Sequence, residues 1–188
     1  MYDLNDVEPR RGGELICGRN ATRIQLNMAM KRAAGVENVY PTGEARGGRP
    51  EKIICIKNRN DLGIVNGMFL GLGDIRDEGA HSFSATVRTE DGNRVGGSED
   101  KPERHHIYKG HFDDHVALDR DRGRRDHWIK KGLIEAVWGY AVTCHKSQGS
   151  LWPNVLVHDD GLGRTAEDRA RWLYTAITRA EKGLVILD

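Results

Sequence analysis

The sequence predicts an α/β domain interrupted by a small all-β insertion, and three observations carry that prediction. The front of the chain reads as a strand followed by a helix. The back reads as strands, a helix and a final strand. Between them lies a stretch of short strands punctuated by Gly, Asn and Asp turns, a pattern that suits a small antiparallel barrel.

Each element has its own signal. Glu14-Leu-Ile-Cys17 is an apolar run after Gly12-Gly13 and reads as a buried strand. Asn20 suits the N-cap of a helix on which Leu26, Ala29, Met30 and Ala33 recur at helical spacing, with Gly35 at its C-terminal end. The segment from Pro41 to Pro50, with Gly43, Gly47 and Gly48, marks a boundary. Lys52-Ile-Ile-Cys-Ile-Lys57 is a strand, Asn66-Gly67 a hairpin turn, and Asp91-Gly92 a second turn after the alternating Phe83, Ala85 and Val87. Residues 96–127 are polar and read as a long loop or extended hairpin.

From Leu133 the chain regains apolar character through Val137-Trp-Gly-Tyr-Ala-Val142, and Val155-Leu-Val157 is another strand. Thr165 and Asp168 have the spacing of a capping box. Trp172, Leu173, Ala176, Ile177 and Ala180 then form one apolar helix face, ended by Gly183 and followed by a buried strand, Leu184-Val-Ile-Leu187. The expected limits are 1–48 and 133–188 for the α/β domain and 49–132 for the insertion.

A net charge of +1 does not announce a nucleic-acid binder, although Arg120 to Lys131 forms a local basic stretch containing Trp128. Alone, that stretch reads as a solvated loop; beside a nucleic-acid site, Trp128 becomes a stacking residue. The three cysteines form no Cys-x-x-Cys pair, the start of the chain lacks a secretion signal and no run could span a bilayer, so a cytoplasmic protein without membrane partners is expected. His105, His106, His111 and His115 fall within eleven residues, but no cysteine lies near them and no metal site is expected. A metal-dependent nuclease would need a carboxylate scaffold that this region lacks.

The chemistry concentrates in two segments. Tyr140-Ala-Val-Thr-Cys-His-Lys-Ser-Gln-Gly-Ser150 is a strand running into a loop of hydroxyl, amide and amine donors, suited to phosphate oxygens. Gly149 lets the backbone approach a ligand closely. Trp172-Leu-Tyr-Thr-Ala-Ile-Thr-Arg-Ala180 is a helix ending in Arg179, which reads alone as a charge complementing the helix dipole. Cys17-Gly-Arg-Asn-Ala-Thr-Arg23 is a strand-to-helix turn; Arg19 and Arg23 read equally as phosphate contacts or as surface arginines beside a cap.

Taken in order, Tyr140–Ser150 and Trp172–Ala180 resemble two consecutive signature motifs in the second motor domain of superfamily-one DNA helicases, specifically the RecD-like and Dda-like branch that includes the exodeoxyribonuclease V alpha subunit, and Cys17–Arg23 lies where such helicases have a strand-to-helix turn. The resemblance implies a RecA-like domain of the P-loop NTPase type carrying an SH3-like insertion, whose opening Lys52–Gly67 resembles. It implies that Thr143, His145, Lys146 and Ser147 touch single-stranded DNA, with Gln148 and Gly149 beside the nucleotide cleft. It also makes Arg179 an arginine finger, and Arg19 or Arg23 a nucleotide contact. Leu151 stands where many members have a glutamate approaching the nucleotide sugar. The chain contains no Gly-x-x-x-x-Gly-Lys-[Ser/Thr] loop. ATP and Mg2+ would therefore be held mainly by a partner N-terminal RecA-like domain of the parent. The implied function is the C-terminal half of an ATP-dependent 5′–3′ helicase active in repair or recombination, itself unable to hydrolyse ATP. The alternative is a non-catalytic module that only binds nucleic acid or protein.

Overall fold

The computed structural model describes residues 13–43, 51–112 and 127–187. Two compact units divide the chain, one of residues 1–33 and 140–188, the other of residues 34–139.

The first unit is a four-stranded, all-parallel sheet with strand order β7-β1-β8-β9. β1 is Gly13–Cys17, β7 Ala141–Thr143, β8 Trp152–His158 and β9 Ala180–Leu187. Strands buried on both faces read as continuous apolar runs, as β1 and the middle of β8 do. Leu15, Cys17, Ala141 and Leu156 pack together against Leu26 of α1 (Asn20–Ala33), with Met30 and Leu187 at the margin. α2 (Cys144–Ser147) is a single turn, and α3 (Ala166–Ile177) opens with the expected capping box. Thr165 Oγ1 accepts from Asp168 N at 3.1 Å, and Asp168 Oδ2 accepts from Thr165 N at 3.3 Å.

Three expectations for this unit are corrected. On α1 the buried residues are Leu26, Asn27 and Lys31, while Ala33 is exposed. Asn27 is buried because it holds the backbone where β7 begins. Its Nδ2 donates to Ala141 O (2.8 Å) and Arg23 O (2.9 Å), and its Oδ1 accepts from Tyr140 N (2.9 Å) and Ala141 N (3.0 Å). Second, Gly183 does not end the last helix. α3 stops at Ile177, Thr178 caps it, and Gly183 lies inside β9, where a Cβ would come within 2.4 Å of Asn154 Oδ1. Third, β9 is a sheet edge rather than a buried strand. Leu184, Val185 and Ile186 are 42%, 53% and 49% exposed, because β9 pairs only with β8 among the described residues.

The second unit is a five-stranded antiparallel sheet with order β5-β4-β3-β2-β6: β2 Glu51–Cys55, β3 Phe69–Asp77, β4 Ser82–Thr89, β5 Arg104–Tyr108 and β6 Ala136–Trp138. The residues just before β6 return to β5, where Tyr108 N donates to Ile134 O (3.0 Å) and Ile134 N to His106 O (2.8 Å). An isolated bridge thus links β5 to the residues that lead into β6. Phe112 packs through its core tilted against Phe83 and edge to face with Trp138, with centroids 5.8 and 5.5 Å apart. Gly67 and Gly92 adopt positive φ; Gly92 turns the chain after β4 back on itself, whereas β2 and β3 are joined by the longer segment 56–68 rather than by a two-residue Asn66-Gly67 hairpin.

Two departures concern this unit. Residues 104–108, within the stretch read as a long loop or extended hairpin, form β5, antiparallel to β4, with an alternation that buries His105 and Ile107. His105 Nε2 donates to Val95 O at 2.6 Å. The run from Val137 to Val142 is two strands belonging to different sheets, broken at Gly139, where a Cβ would meet the Ile53 backbone at 2.8 Å. Residues 113–126, including His115 and the front of the basic stretch, lie outside the described residues.

Glu135 is the electrostatic centre of this unit. Burial pushes its carboxyl up, but His111 and Lys57 (both 2.8 Å) and the charge of Lys130 (3.6 Å) outweigh that and hold it at about 2. A carboxylate depressed in the folded state stabilises fully above its unfolded value, 4.5, and loses that contribution as pH falls towards 2. Wild type should therefore unfold at higher denaturant than Glu135→Gln at pH 6, with the gap closing between about pH 4.5 and 2; a pH-independent gap would count against the assignment. In the first unit, Asn27→Leu should cost about 2–4 kcal/mol in urea unfolding, because it strands buried peptide groups at the start of β7.

Candidate functional site

The carboxyl ends of parallel strands form the usual ligand edge of an α/β sheet, above all where the chain's path reverses beside a strand. Here the chain passes from β1 to β7 on one side, then across to β8 on the other, so that edge lies around the end of β1. Gly18 leaves β1 under the Asp159–Leu162 loop that follows β8. A Cβ on Gly18 would lie 2.5 Å from Asp160 Oδ1 and 2.6 Å from Leu162 Cβ, so only glycine permits this approach. The loop holds Arg19, whose N donates to Asp160 Oδ2 (2.7 Å) and whose Nη2 donates to Gly161 O (3.0 Å). Asp160 Oδ1 is buried and has no hydrogen-bond partner among the described residues.

The loop after β7 is built by its own short bonds. Ser147 is fully buried and its hydroxyl donates to Cys144 O at 2.8 Å, so it shapes the turn rather than facing solvent. His145, Lys146, Gln148 and Gly149 are exposed, and Thr143 is half-buried. Gly149 has φ +90° with nothing near its Cβ position, so the turn, rather than a close approach, demands glycine. Cys144 is buried against α3, its Sγ 3.4 Å from Trp172 O. Burial raises its thiol, partly offset by the charge of Arg179. Burial, reinforced by the Asp160 charge, pushes Cys17 up to about 12, so neither cysteine is an activated nucleophile.

Arg179 sits between α3 and β9 rather than on the helix. Its Nε donates to Thr175 O (3.1 Å), Nη2 to Thr178 Oγ1 (3.1 Å) and Nη1 to Ser150 O (3.4 Å). All these acceptors are neutral, and no carboxylate pairs with this half-buried guanidinium among the described residues. Between α2, α3 and the loop after β8 lies a cleft of about 320 Å3. Gly18, Cys144, Leu162, Trp172 and Thr175 form its less exposed lining; His145, Gln148, Asp168 and Arg171 complete it.

Of the residues singled out in the sequence, the structure brings together His145 and Gln148 at the cleft and Arg179 beside Ser150. Arg23 lies one turn into α1, its Nε donating to Asn20 Oδ1 at 2.8 Å. Trp128 is 77% exposed on the antiparallel unit, edge-on to His127. Sequence reasoning missed Gly18, Asp160 and Leu162; the available signal was an Asp-Gly-Leu loop directly after a parallel strand.

Residues 139–187 match the family described as the UvrD-like helicase C-terminal domain. Among solved structures the chain is similar to a Bacteroides Pif1 helicase in complex with ADP-AlF3 and ssDNA, with TM-score 0.56, 13% identity, and coverage of 97% of this chain and 41% of that one. It is also similar to a Bacteroides Pif1 bound to ssDNA, with TM-score 0.55, 15% identity and coverage of 95% and 41%. The chain thus has the fold of part of those proteins and spans about two-fifths of their length. No curated protein sequence matches it.

Gly18→Ala tests the crowding at the end of β1. It should destabilise by about 1–3 kcal/mol, the usual cost of overpacking, read as a lowered thermal midpoint. An unchanged midpoint would show that the Asp159–Leu162 loop yields freely.

Proposed function

We propose that this chain is the C-terminal motor portion of an ATP-dependent DNA helicase of superfamily one, RecD-like or Dda-like in branch and moving 5′ to 3′. The observation that carries the proposal is Arg179, a half-buried cation bonded only to neutral oxygens. It stands at the amino ends of β8 and β9, beside the segment that leads on from the exposed donors after β7. Such a preorganised guanidinium suits the charge that develops on a transferring phosphoryl group. The 139–187 match and the Pif1-like fold support the same reading.

In this reading Thr143, His145 and Lys146 contact the sugar-phosphate backbone of single-stranded DNA, while Ser147 sets the turn that presents them. Gln148 and Gly149 lie towards the nucleotide, and Arg19 or Arg23 adds a phosphate contact. The antiparallel unit is an SH3-like insertion, on which Trp128 offers a base-stacking surface. The fit to ATP and magnesium is partial. The chain offers a guanidinium for the γ-phosphate, but no phosphate loop, and no cluster of three or more metal-binding side chains among the described residues. ATP and Mg2+ would be held mainly by an N-terminal RecA-like domain of the parent, with Arg179 stabilising charge in the transition state.

A second reading has its own support, since the three bonds from Arg179 also clip the end of α3 to the entry of β8. In that case the chain is a binding module and Arg179 is structural. ATPase stimulated by single-stranded DNA, measured on a parent joining this chain to its phosphate-loop domain, separates the two. Arg179→Ala should reduce kcat by about 10³–10⁵ with the fold intact by circular dichroism, and the 188-residue chain alone should not turn over ATP. Turnover indifferent to Arg179 would establish the binding module.

A further inference from the structure

Of the oxygens that hold the Arg179 guanidinium, Thr175 O and Ser150 O belong to peptide groups, and Thr178 Oγ1 belongs to a side chain. That hydroxyl takes part twice. It donates to Thr175 O at 3.1 Å and accepts from Arg179 Nη2 at 3.1 Å. Thr175 O also accepts from Arg179 Nε at 3.1 Å, so hydroxyl, carbonyl and guanidinium close a ring of three bonds. Arginine only donates, so the hydroxyl must offer it a lone pair, and its single proton is left for Thr175 O.

The backbone brings these groups together. Thr178 is the C-cap of α3, with φ −71° and ψ 0°, and its N–H still bonds Tyr174 O at 3.1 Å. From that position a threonine hydroxyl reaches the carbonyl three residues back in a favoured rotamer. Ser150 O lies farther away, at 3.4 Å from Nη1, so the ring through Thr178 is the tighter hold. Three of the five guanidinium N–H groups are engaged among the described residues, which leaves one on each terminal nitrogen for an incoming anion.

We propose that Thr178 is a positioning residue for Arg179. Its hydroxyl does not touch ATP; it fixes the rotation of the guanidinium before the phosphoryl charge develops. The inference rests on the reading of Arg179 as an arginine finger. A threonine that only packed would need its methyl group, and one that only capped the helix would act independently of Arg179.

The test is ATPase stimulated by single-stranded DNA on the parent that joins this chain to its phosphate-loop domain. Thr178→Val keeps the side chain's shape and the backbone cap but removes the hydroxyl. It should lower kcat about tenfold to a hundredfold, as expected for a lost hydrogen bond to a charged group. KM for ATP should change by less than about twofold, since the interaction matters only in the transition state. Thr178→Ser, which keeps the hydroxyl and drops the methyl, should restore kcat to within about threefold of wild type. Thr178→Ala should lose as much as Thr178→Val and guards against a misfolded valine variant. In an Arg179→Ala background, Thr178→Val should lower single-turnover hydrolysis no further, because it acts through the missing guanidinium. The inference is overturned if serine loses more than valine, if valine and alanine both keep wild-type kcat, or if the loss persists without Arg179. Each of those results leaves the finger standing, provided that Arg179→Ala itself collapses turnover. No stimulated turnover by wild type, or turnover indifferent to Arg179, overturns the finger and the inference together.

Discussion

The parallel-sheet unit depends on the four hydrogen bonds of one buried amide. Its sequence is interrupted after α1 and resumes only at Tyr140, so the fold must rejoin two distant pieces of chain, with the loop-closure entropy that implies. Asn27 makes the seam specific. It uses both N–H groups and both lone pairs, binding Arg23 on its own helix and the peptide groups of Tyr140 and Ala141. β7 is only three residues long and pairs with β1 on one side, so a helix-borne amide supplies much of what an absent neighbour would. Everything after β7 inherits this register: the turn at Cys144, the exposed donors and the cleft wall.

The second constraint is crowding at the end of β1. Gly18 lets the Asp159–Leu162 loop descend onto the strand end, and Asp160 then holds the Arg19 peptide N–H at the start of α1. Three strand ends are thus brought to one edge by backbone and short side chains. Longer side chains are left for the surface, which is how a ligand edge stays open in a small sheet.

Much of this was legible in the sequence because periodicity and turn chemistry are local. Cys17, Phe83, Val87 and the Thr165–Asp168 box all behave as their patterns require. The misses share a cause, in that tertiary pairing overrode the local signal. Asn27 looked like an ordinary polar helix residue, because nothing in the sequence marks the peptide groups it binds. Gly183 carried a helix-stop signal, yet it serves close approach to Asn154 inside a strand. His105 and His106 hid a β-strand, since a histidine can bury its ring when a carbonyl such as Val95 O accepts its proton. At the site, the exposed loop donors were readable as a motif, whereas the cleft depends on where α3 falls relative to the loop after β8.

The position of Arg179 argues for a ligand more strongly than its sequence context does. A half-buried guanidinium loses hydration, and here three neutral oxygens rather than a carboxylate compensate for it. The chain has 28 acidic residues, and none of those described pairs with it. The residue after its Ser150 contact is Leu151, apolar and 57% exposed. The three neutral acceptors fix the plane of the guanidinium without cancelling its field. A planar fork held in that way meets an incoming anion already oriented, and a lysine, with its single flexible ammonium, could not be held by the same three oxygens.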